Sequence, residues 1–298
     1  MSLCLCGRCW GTKGEHLPIG VVQQDIRETI FAGIAGRKYQ AEIITEQDGV
    51  VTGTKRLLAA LAEKGIQAEL RLADGAPAQA GDCVVQLVGT PQQLAVAEEF
   101  VIGMLAKPSG IATAARRAVS FAGDAIRIVC GAWKKMPPEI KGIVREAVAA
   151  GGAAFRISDQ PFLYLDKNFV RMLGGIVPTL RAVAPMKDKL KVIQLKGEYG
   201  DIAQEAVLAV EHGTDILMID TGSLPDAEAA HRALLAAGRR NQVKLAFAKG
   251  IRVEDIPDLR GRGIDILDIG VGIIDAPLLD MKLEVREGLH ATQSAGKN

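Results

Sequence analysis

Pro108-Ser109-Gly110-Ile111-Ala112-Thr113-Ala114-Ala115-Arg116-Arg117-Ala118-Val119 separates two kinds of sequence. Upstream, short runs of alternating apolar residues are broken by turn signals. Downstream, apolar runs of strand length alternate with helical patterns as far as about Gly272. The downstream strand candidates are 125–130, 153–157 with 162–165, 190–195, 215–220, 243–247 and 265–270, and helical spacing marks 139–150, 202–212, 226–236 and 253–260. Strands this short and this apolar belong in a parallel sheet covered on both faces, and the repeat has the length of βα units. So many units favour a closed parallel α/β barrel over an open, doubly wound sheet.

The upstream part reads as a smaller α/β layer. Asp25 caps a helix start at 26–30, and 39–46 alternates as a strand before the turn Gln47-Asp48-Gly49. Residues 55–64 place Leu57, Leu58 and Leu61 on one helical face and stop at Gly65. Further strands are expected at 68–72 and 83–89, then a helix over 91–105 that leads into the dividing segment.

With 298 residues, 48% of them hydrophobic and 24% charged, the composition is that of a globular protein with a sizeable core. A net charge of +1 gives no reason to expect a nucleic-acid or acidic-membrane partner. No apolar run approaches the roughly 20 residues of a membrane span. There is no signal-peptide pattern, so a cytoplasmic protein is expected. Five cysteines, Cys4, Cys6, Cys9, Cys83 and Cys130, are read as reduced thiols. The Cys4/Cys6/Cys9 cluster could ligate a soft metal, but it lacks a fourth nearby ligand, and 1–17 is expected to be a polar tail.

Reactive groups in a βα barrel come from the C-terminal ends of the strands. Those ends hold Lys134 and Lys135, Arg156, Lys167, Gln194 and Lys196, Asp220, Lys249-Gly250 and Gly270-Val271-Gly272. This is a cationic rim with one carboxylate and two glycine-bearing turns. Late βα turns bind phosphate through backbone N–H groups, so the rim points to a polyanionic small molecule. Asp220 is either a cap for the following helix or a ligand to a metal or a ribose hydroxyl. The second reading is preferred, because Thr221-Gly222-Ser223-Leu224-Pro225 already supplies cap and turn residues.

Several ordered segments together resemble the quinolinate phosphoribosyltransferase family. They are Asp25-Ile26 with Thr29, Glu46 to Gly53, Asp74-Gly75 through Gly81-Asp82, Ser109-Gly110-Ile111-Ala112-Thr113, Ala147 to Gly152, Gly263 to Gly270, and Leu278 to Leu283. The resemblance implies an N-terminal α/β sandwich over 18–108 with 276–298, and a barrel over 109–275. It also implies a homodimer, or a larger assembly, with active sites shared between subunits. The implied reaction is that of a pentosyltransferase of NAD biosynthesis. With Mg²⁺, it joins quinolinate to phosphoribosyl pyrophosphate and gives nicotinate mononucleotide, pyrophosphate and CO₂.

Position by position, the family's Thr-Arg-Lys-Thr falls on Trp133-Lys134-Lys135-Met136 and its His-Arg pair on Phe155-Arg156. The next family Lys falls at or beside Lys167, where Asp166 competes; the barrel Glu falls on Gln194, the Asp on Asp220, and a helix Arg on Glu99. The Ser-Gly phosphate loop falls on Ala248-Lys249-Gly250, followed by Gly270 and Gly272. The resemblance thus implies Lys135, Asp220 and Gln194 as catalytic positions, with Asp220 holding the Mg²⁺. It assigns substrate binding to Lys134, Arg156, Lys167, Lys249, Gly250, Gly270 and Gly272. The phosphate and ribose side is retained, whereas the base side exchanges Arg for Lys134, His for Phe155 and Arg for Glu99; Lys keeps charge but not the bidentate fork. Two alternatives therefore stand beside the first reading. One is a same-fold phosphoribosyltransferase for another base, related to the molybdenum-operon members. The other is a non-catalytic homologue that binds a phosphate ligand.

Overall fold

The computed structural model describes residues 25–289, so Cys4, Cys6 and Cys9 lie outside the described residues. The chain opens with α1 (Ile26–Ile30), where the Asp25 side chain accepts from Arg27 N–H, 3.0 Å away. Four strands, β1 (Lys38–Thr45), β3 (Gln67–Leu70), β5 (Cys83–Gly89) and β12 (Met281–Leu289), pair antiparallel in the order β12-β1-β5-β3. A two-residue pairing of β2 (Gly49–Val50) with β4 (Pro77–Ala78) lies in the loops between them. Ile43, Val85 and Leu87 are fully buried against Leu57 and Leu61 of α2 (Thr54–Glu63). β12 comes from the far end of the chain and completes the sheet along β1.

The second body is parallel: β6 (Arg127–Val129), β7 (Phe162–Leu165), β8 (Leu190–Leu195), β9 (Ile216–Ile219), β10 (Lys244–Ala248) and β11 (Ile266–Asp268) run in the order β6-β11-β10-β9-β8-β7. All four residues of β9 are buried, as expected of a strand covered on both faces. Val129, Val192, Ile216, Met218, Ala246 and Ile266 fill the barrel interior, with Ala154, Phe162 and Tyr164 packed against them. The outer layer is made by α4 (Pro138–Ala150), α5 (Lys167–Met172), α6 (Ile176–Val183), α7 (Ile202–Glu211), α8 (Leu224–Ala236), α9 (Ile256–Leu259) and α10 (Val271–Ile274). Local signals set several of these starts. Asp201 and Gln204 form a capping box on α7, and Ser223, not Asp220, caps α8.

Between the two bodies runs one helix, α3 (Pro91–Ala122), capped by Thr90 and Gln93. The expectation of a helix ending at 105, followed by a separate dividing segment, gives way to a continuous helix with Pro108 inside it. A proline normally breaks a helix by removing an N–H and crowding the preceding turn. Here tertiary packing overrides that cost, because Leu105, Ala106, Pro108, Ser109, Gly110, Ile111 and Ala112 are all buried.

The Ser109–Thr113 stretch is the clamp of this arrangement. Ser109 Oγ accepts from Thr52 N–H at 3.0 Å, and Thr113 Oγ1 accepts from Val50 N–H at 2.9 Å while donating to Ser109 C=O at 2.7 Å. On the other side, Lys107 Nζ donates to Ala276 C=O at 2.7 Å and Leu279 N–H to Ala106 C=O at 3.0 Å. Gly110 lies so close to the returning chain that a Cβ there would meet Pro277 O at 1.9 Å.

Two further differences from the sequence reading have physical causes. The strand expected at 153–157 is reduced to one bridge, Ala154 to Val129. The Phe155 carbonyl is taken by Trp133 Nε1–H at 2.7 Å, and the chain bends there, so among the described residues no ladder joins this segment to β7. Helices α5 and α6 lay in a stretch to which the sequence assigned no element; α5 begins where Asp166 accepts from Asn168 N–H (2.8 Å) and Phe169 N–H (3.1 Å).

If Ser109–Thr113 is a clamp, Gly110→Ala should destabilise the protein by about 3 kcal/mol or more, because the clash is with backbone that cannot step aside. Ser109→Ala should cost about 1–3 kcal/mol through the orphaned Thr52 N–H and leave KM unchanged. Urea unfolding with steady-state kinetics checks both.

Candidate active site

Along each barrel strand the inward positions recur every second residue. Four polar side chains stand two positions beyond an apolar interior residue: Tyr164 after Phe162, Gln194 after Val192, Asp220 after Met218 and Asp268 after Ile266. They gather above the interior at the C-terminal ends of β7, β8, β9 and β11.

Asp220 is held from two sides. Gln194 Nε2 donates to its Oδ2, and Lys196 Nζ lies 3.1 Å from the same oxygen and also donates to the Asp220 carbonyl. Gln194 is fixed in turn, since its Oε1 accepts from Lys167 N–H at 2.7 Å. The loop that carries Lys196 is tied down by buried Glu205, which accepts from the N–H groups of Lys196 (3.2 Å), Gly197 (2.9 Å) and Tyr199 (2.8 Å).

Asp268 faces the turn Gly131–Lys135 that follows β6, with Oδ1 accepting from Gly131 N–H at 2.8 Å. Burial raises its pKa, opposed by that hydrogen bond and by the nearby charge of Lys134, while the Asp220 carboxylate adds to the rise. Tyr164 lies beneath Lys134, whose Nζ is 5.0 Å from the ring centroid. Burial first, then the carboxylates of Asp268 and Asp220, pushes the phenol pKa far up, so Tyr164 stays protonated.

The structure therefore brings together Lys134, Lys135, Gln194, Lys196 and Asp220 from the expected set. Lys249 adjoins them through the neighbouring βα turns, its carbonyl and side chain packing against Gly222 just beyond Asp220. It has φ +80°, a left-handed conformation unique among the described non-glycine residues, and Gly250 follows at φ +76°. Such backbone strain is concentrated at functional turns.

Lys167 stays beside the group, donating its N–H to Gln194 and lining a small pocket with Gln194 and Lys196, whereas Arg156 and Gly272 stand apart. Arg156 stacks on Phe162, 5.2 Å from the ring centroid. It lines a cleft of about 550 Å³ with Arg127 and Asp159, which form a bidentate pair at 2.9 and 2.8 Å. Phe162 and Arg127 are the first residues of their strands, so Arg156 faces the strand-start side rather than the rim. Lys167 is the first residue of α5, with Asp166 at the strand end as its cap. Gly270 caps α10, and Gly272 lines a separate pocket with Gly110, Thr113 and Arg117. Phe155 packs outward with Trp133 under Arg145, and Glu99 pairs with Arg27 at 3.2 Å on the sandwich side of α3. Neither side chain belongs to the Asp220–Asp268 group.

Asp268, Tyr164 and Glu205 were not singled out from sequence. For Asp268 the signal was present, since Ile266 and Asp268 repeat the spacing of Met218 and Asp220.

Residues 25–109 match the quinolinate phosphoribosyl transferase N-terminal domain, and residues 111–284 match its C-terminal domain. A probable nicotinate-nucleotide pyrophosphorylase [carboxylating] of Archaeoglobus fulgidus is 28% identical over 256 residues, covering 85% of this chain and 96% of that protein. The human nicotinate-nucleotide pyrophosphorylase [carboxylating] is 27% identical over 249 residues, 83% of this chain and 82% of its own length. The crystal structure of nicotinate-nucleotide pyrophosphorylase from Pyrococcus furiosus shares the fold with a TM-score of 0.74 at 21% identity, over 88% of this chain and 72% of that one. That from Francisella tularensis gives 0.72 at 21% identity, over 86% and 90%. Matched through both its sandwich and its barrel, the chain belongs to the quinolinate phosphoribosyl transferase family.

Proposed function

We propose that the chain is a phosphoribosyltransferase that joins quinolinate to the ribose of phosphoribosyl pyrophosphate, with loss of pyrophosphate and CO₂. The observation that carries this reading is the anchored Asp220 carboxylate within a cationic strand-end group, in a chain of this family. Lys135 and Lys249 neutralise the phosphate oxygens and the charge that develops as the C1–pyrophosphate bond lengthens, while Lys134 meets the carboxylates of the base. Asp220, held by Gln194 and Lys196, faces the ribose and steadies the oxocarbenium-like carbon. Tyr164, protonated and half-buried, supports Lys134 from below.

Mg²⁺ belongs to the same proposal. The hydrogen bonds to Asp220 within the described residues fall on Oδ2, which leaves Oδ1 to face an ion. No cluster of three or more His, Cys, Asp or Glu side chains occurs among the described residues, which suits Mg²⁺ held by one carboxylate and mainly by substrate oxygens. When bound, the ion would neutralise pyrophosphate oxygens.

The dimer is supported by an apolar face beside the rim. Phe169 and Met172 of α5 and Leu173 just after it are exposed next to Tyr199, with Met172 at 75%, and the sandwich exposes Ile26 and Ile30 on α1. A second copy covering α5 would bury these surfaces. Work in the reducing cytoplasm is supported by Cys83 and Cys130 being free thiols.

Calorimetry with each substrate, followed by turnover, tests the reading. Phosphoribosyl pyrophosphate and quinolinate should both bind. Binding of the first alone would transfer the reaction to another base, and binding of neither would overturn transfer altogether. Asp220→Asn should lower kcat about 10²-fold or more. Gln194→Glu should lower it too, since a donor to Asp220 becomes a second carboxylate; a gain in turnover would contradict the role given to Gln194. Met172→Asp should shift the mass measured by light scattering toward the monomer.

A further inference from the structure

We propose that Asp268 is a positioning residue: its carboxylate anchors the Gly131–Lys135 turn to the end of β11 and thereby sets where Lys134 and Lys135 point. The proposal rests on the phosphoribosyl reading and names what holds two of its rim lysines.

Asp268 is itself rigidly placed. It is the last residue of β11, in register with Val129 of β6 and Ala248 of β10, and the next residue, Ile269, donates its N–H to Val129 C=O at 2.8 Å. From there its Oδ1 takes the N–H of Gly131, the first residue of the turn. The fit is close on both oxygens, because a Cβ on Gly131 would lie 2.9 Å from Asp268 Oδ2. Residue 131 is therefore glycine so that the turn can lie against the carboxylate.

The turn has a second tie, the Trp133 indole N–H on the Phe155 carbonyl. Lys134 and Lys135 follow directly on this doubly held segment, and Lys134 comes to rest over Tyr164. Their charges in turn favour the ionised form of the half-buried carboxylate, which would otherwise be costly to desolvate. A polyanion reaching the rim would be repelled by an Asp268 carboxylate turned toward it. Turned onto the Gly131 backbone and screened by two lysines, the same group aids binding by fixing the cations.

The test compares Asp268→Asn, which keeps an Oδ1 acceptor, with Asp268→Ala, which does not. Hydrogen exchange of the 131–136 amides is read alongside calorimetry with inorganic pyrophosphate and steady-state kinetics. Asp268→Ala should speed exchange of this segment about tenfold or more, weaken pyrophosphate about tenfold, and raise KM for phosphoribosyl pyrophosphate more than it lowers kcat; one lost hydrogen bond to a charged group is of that order. Asp268→Asn should recover most of each loss. Asp268→Leu replaces the alanine variant if that one does not fold. Unchanged exchange in Asp268→Ala, or an Asn variant as impaired as Ala, overturns the proposal. Failure of the unaltered protein to bind pyrophosphate would overturn the transferase reading instead, and the exchange comparison would still decide the anchor.

Discussion

The backbone approach of Gly110 of α3 to the Pro277 carbonyl, which leaves no room for a Cβ, is the constraint on which the two bodies depend. The first half of α3 belongs to the sandwich core through Leu94, Ala97, Val101 and Leu105, and the second half to the barrel wall through Ile111, Ala115, Ala118 and Ala122. At the crossing, hydrogen bonds from Ser109 and Thr113 reach the β2 region while Ala106 and Lys107 receive the returning chain. Any side chain at 110 would push the returning segment off the helix, and with it β12 off β1. The most recognisable motif in the sequence is thus a scaffold. Ser109 is fully buried, and it reaches the reacting end only by fixing the barrel wall.

The rim works by charge balance within a small space. Two carboxylates, Asp220 and Asp268, stand among Lys134, Lys135 and Lys196, and each is committed to a partner on the protein. Committed carboxylates orient cations without presenting loose negative charge to an anionic ligand. Side-chain reorganisation on binding is small when the donors are already held, which is the condition under which electrostatic stabilisation is effective. Glu205 applies the same device one layer out, spending a buried carboxylate on three backbone N–H groups so that Lys196 has a fixed base.

Much of this was legible in the sequence, for identifiable reasons. The parallel strands show as short apolar runs because burial on both faces demands it, and 190–195 coincides with β8 residue for residue. Asp220 was visible because it ends such a run. The period-two rule that exposes Asp220 exposes Asp268 as well, though the glycines after β11 are the louder signal in that stretch. Arg156 could not be placed from spacing, since the bend after Ala154 follows from a tertiary bond, Trp133 to the Phe155 carbonyl. Continuity of α3 through Pro108 was hidden for the same reason: local chemistry argues for a break, and only the burial of both helix faces argues against it. Glu99, which stands where the family has Arg, pairs with Arg27, a partner distant in the chain and invisible to local spacing.

The single bridge at Ala154 gives the barrel a clasp. Five continuous ladders run from β6 around to β7, but the remaining edge is joined by one bridge and an indole bond. A closed hoop can widen only by breaking a ladder, whereas a clasped one can widen at its weakest joint and keep every other strand in register. The clasp segment leads straight into β7, and β7 ends at Tyr164, Leu165 and the Asp166 cap beside Gln194. Breathing at this joint would therefore alter the girth of the mouth on the Tyr164 side, while the Asp220 side stays fixed by the β8–β9–β10 ladders. The barrel has a stiff side at Asp220 and a compliant side at Tyr164 that can adjust to the shape of what it holds.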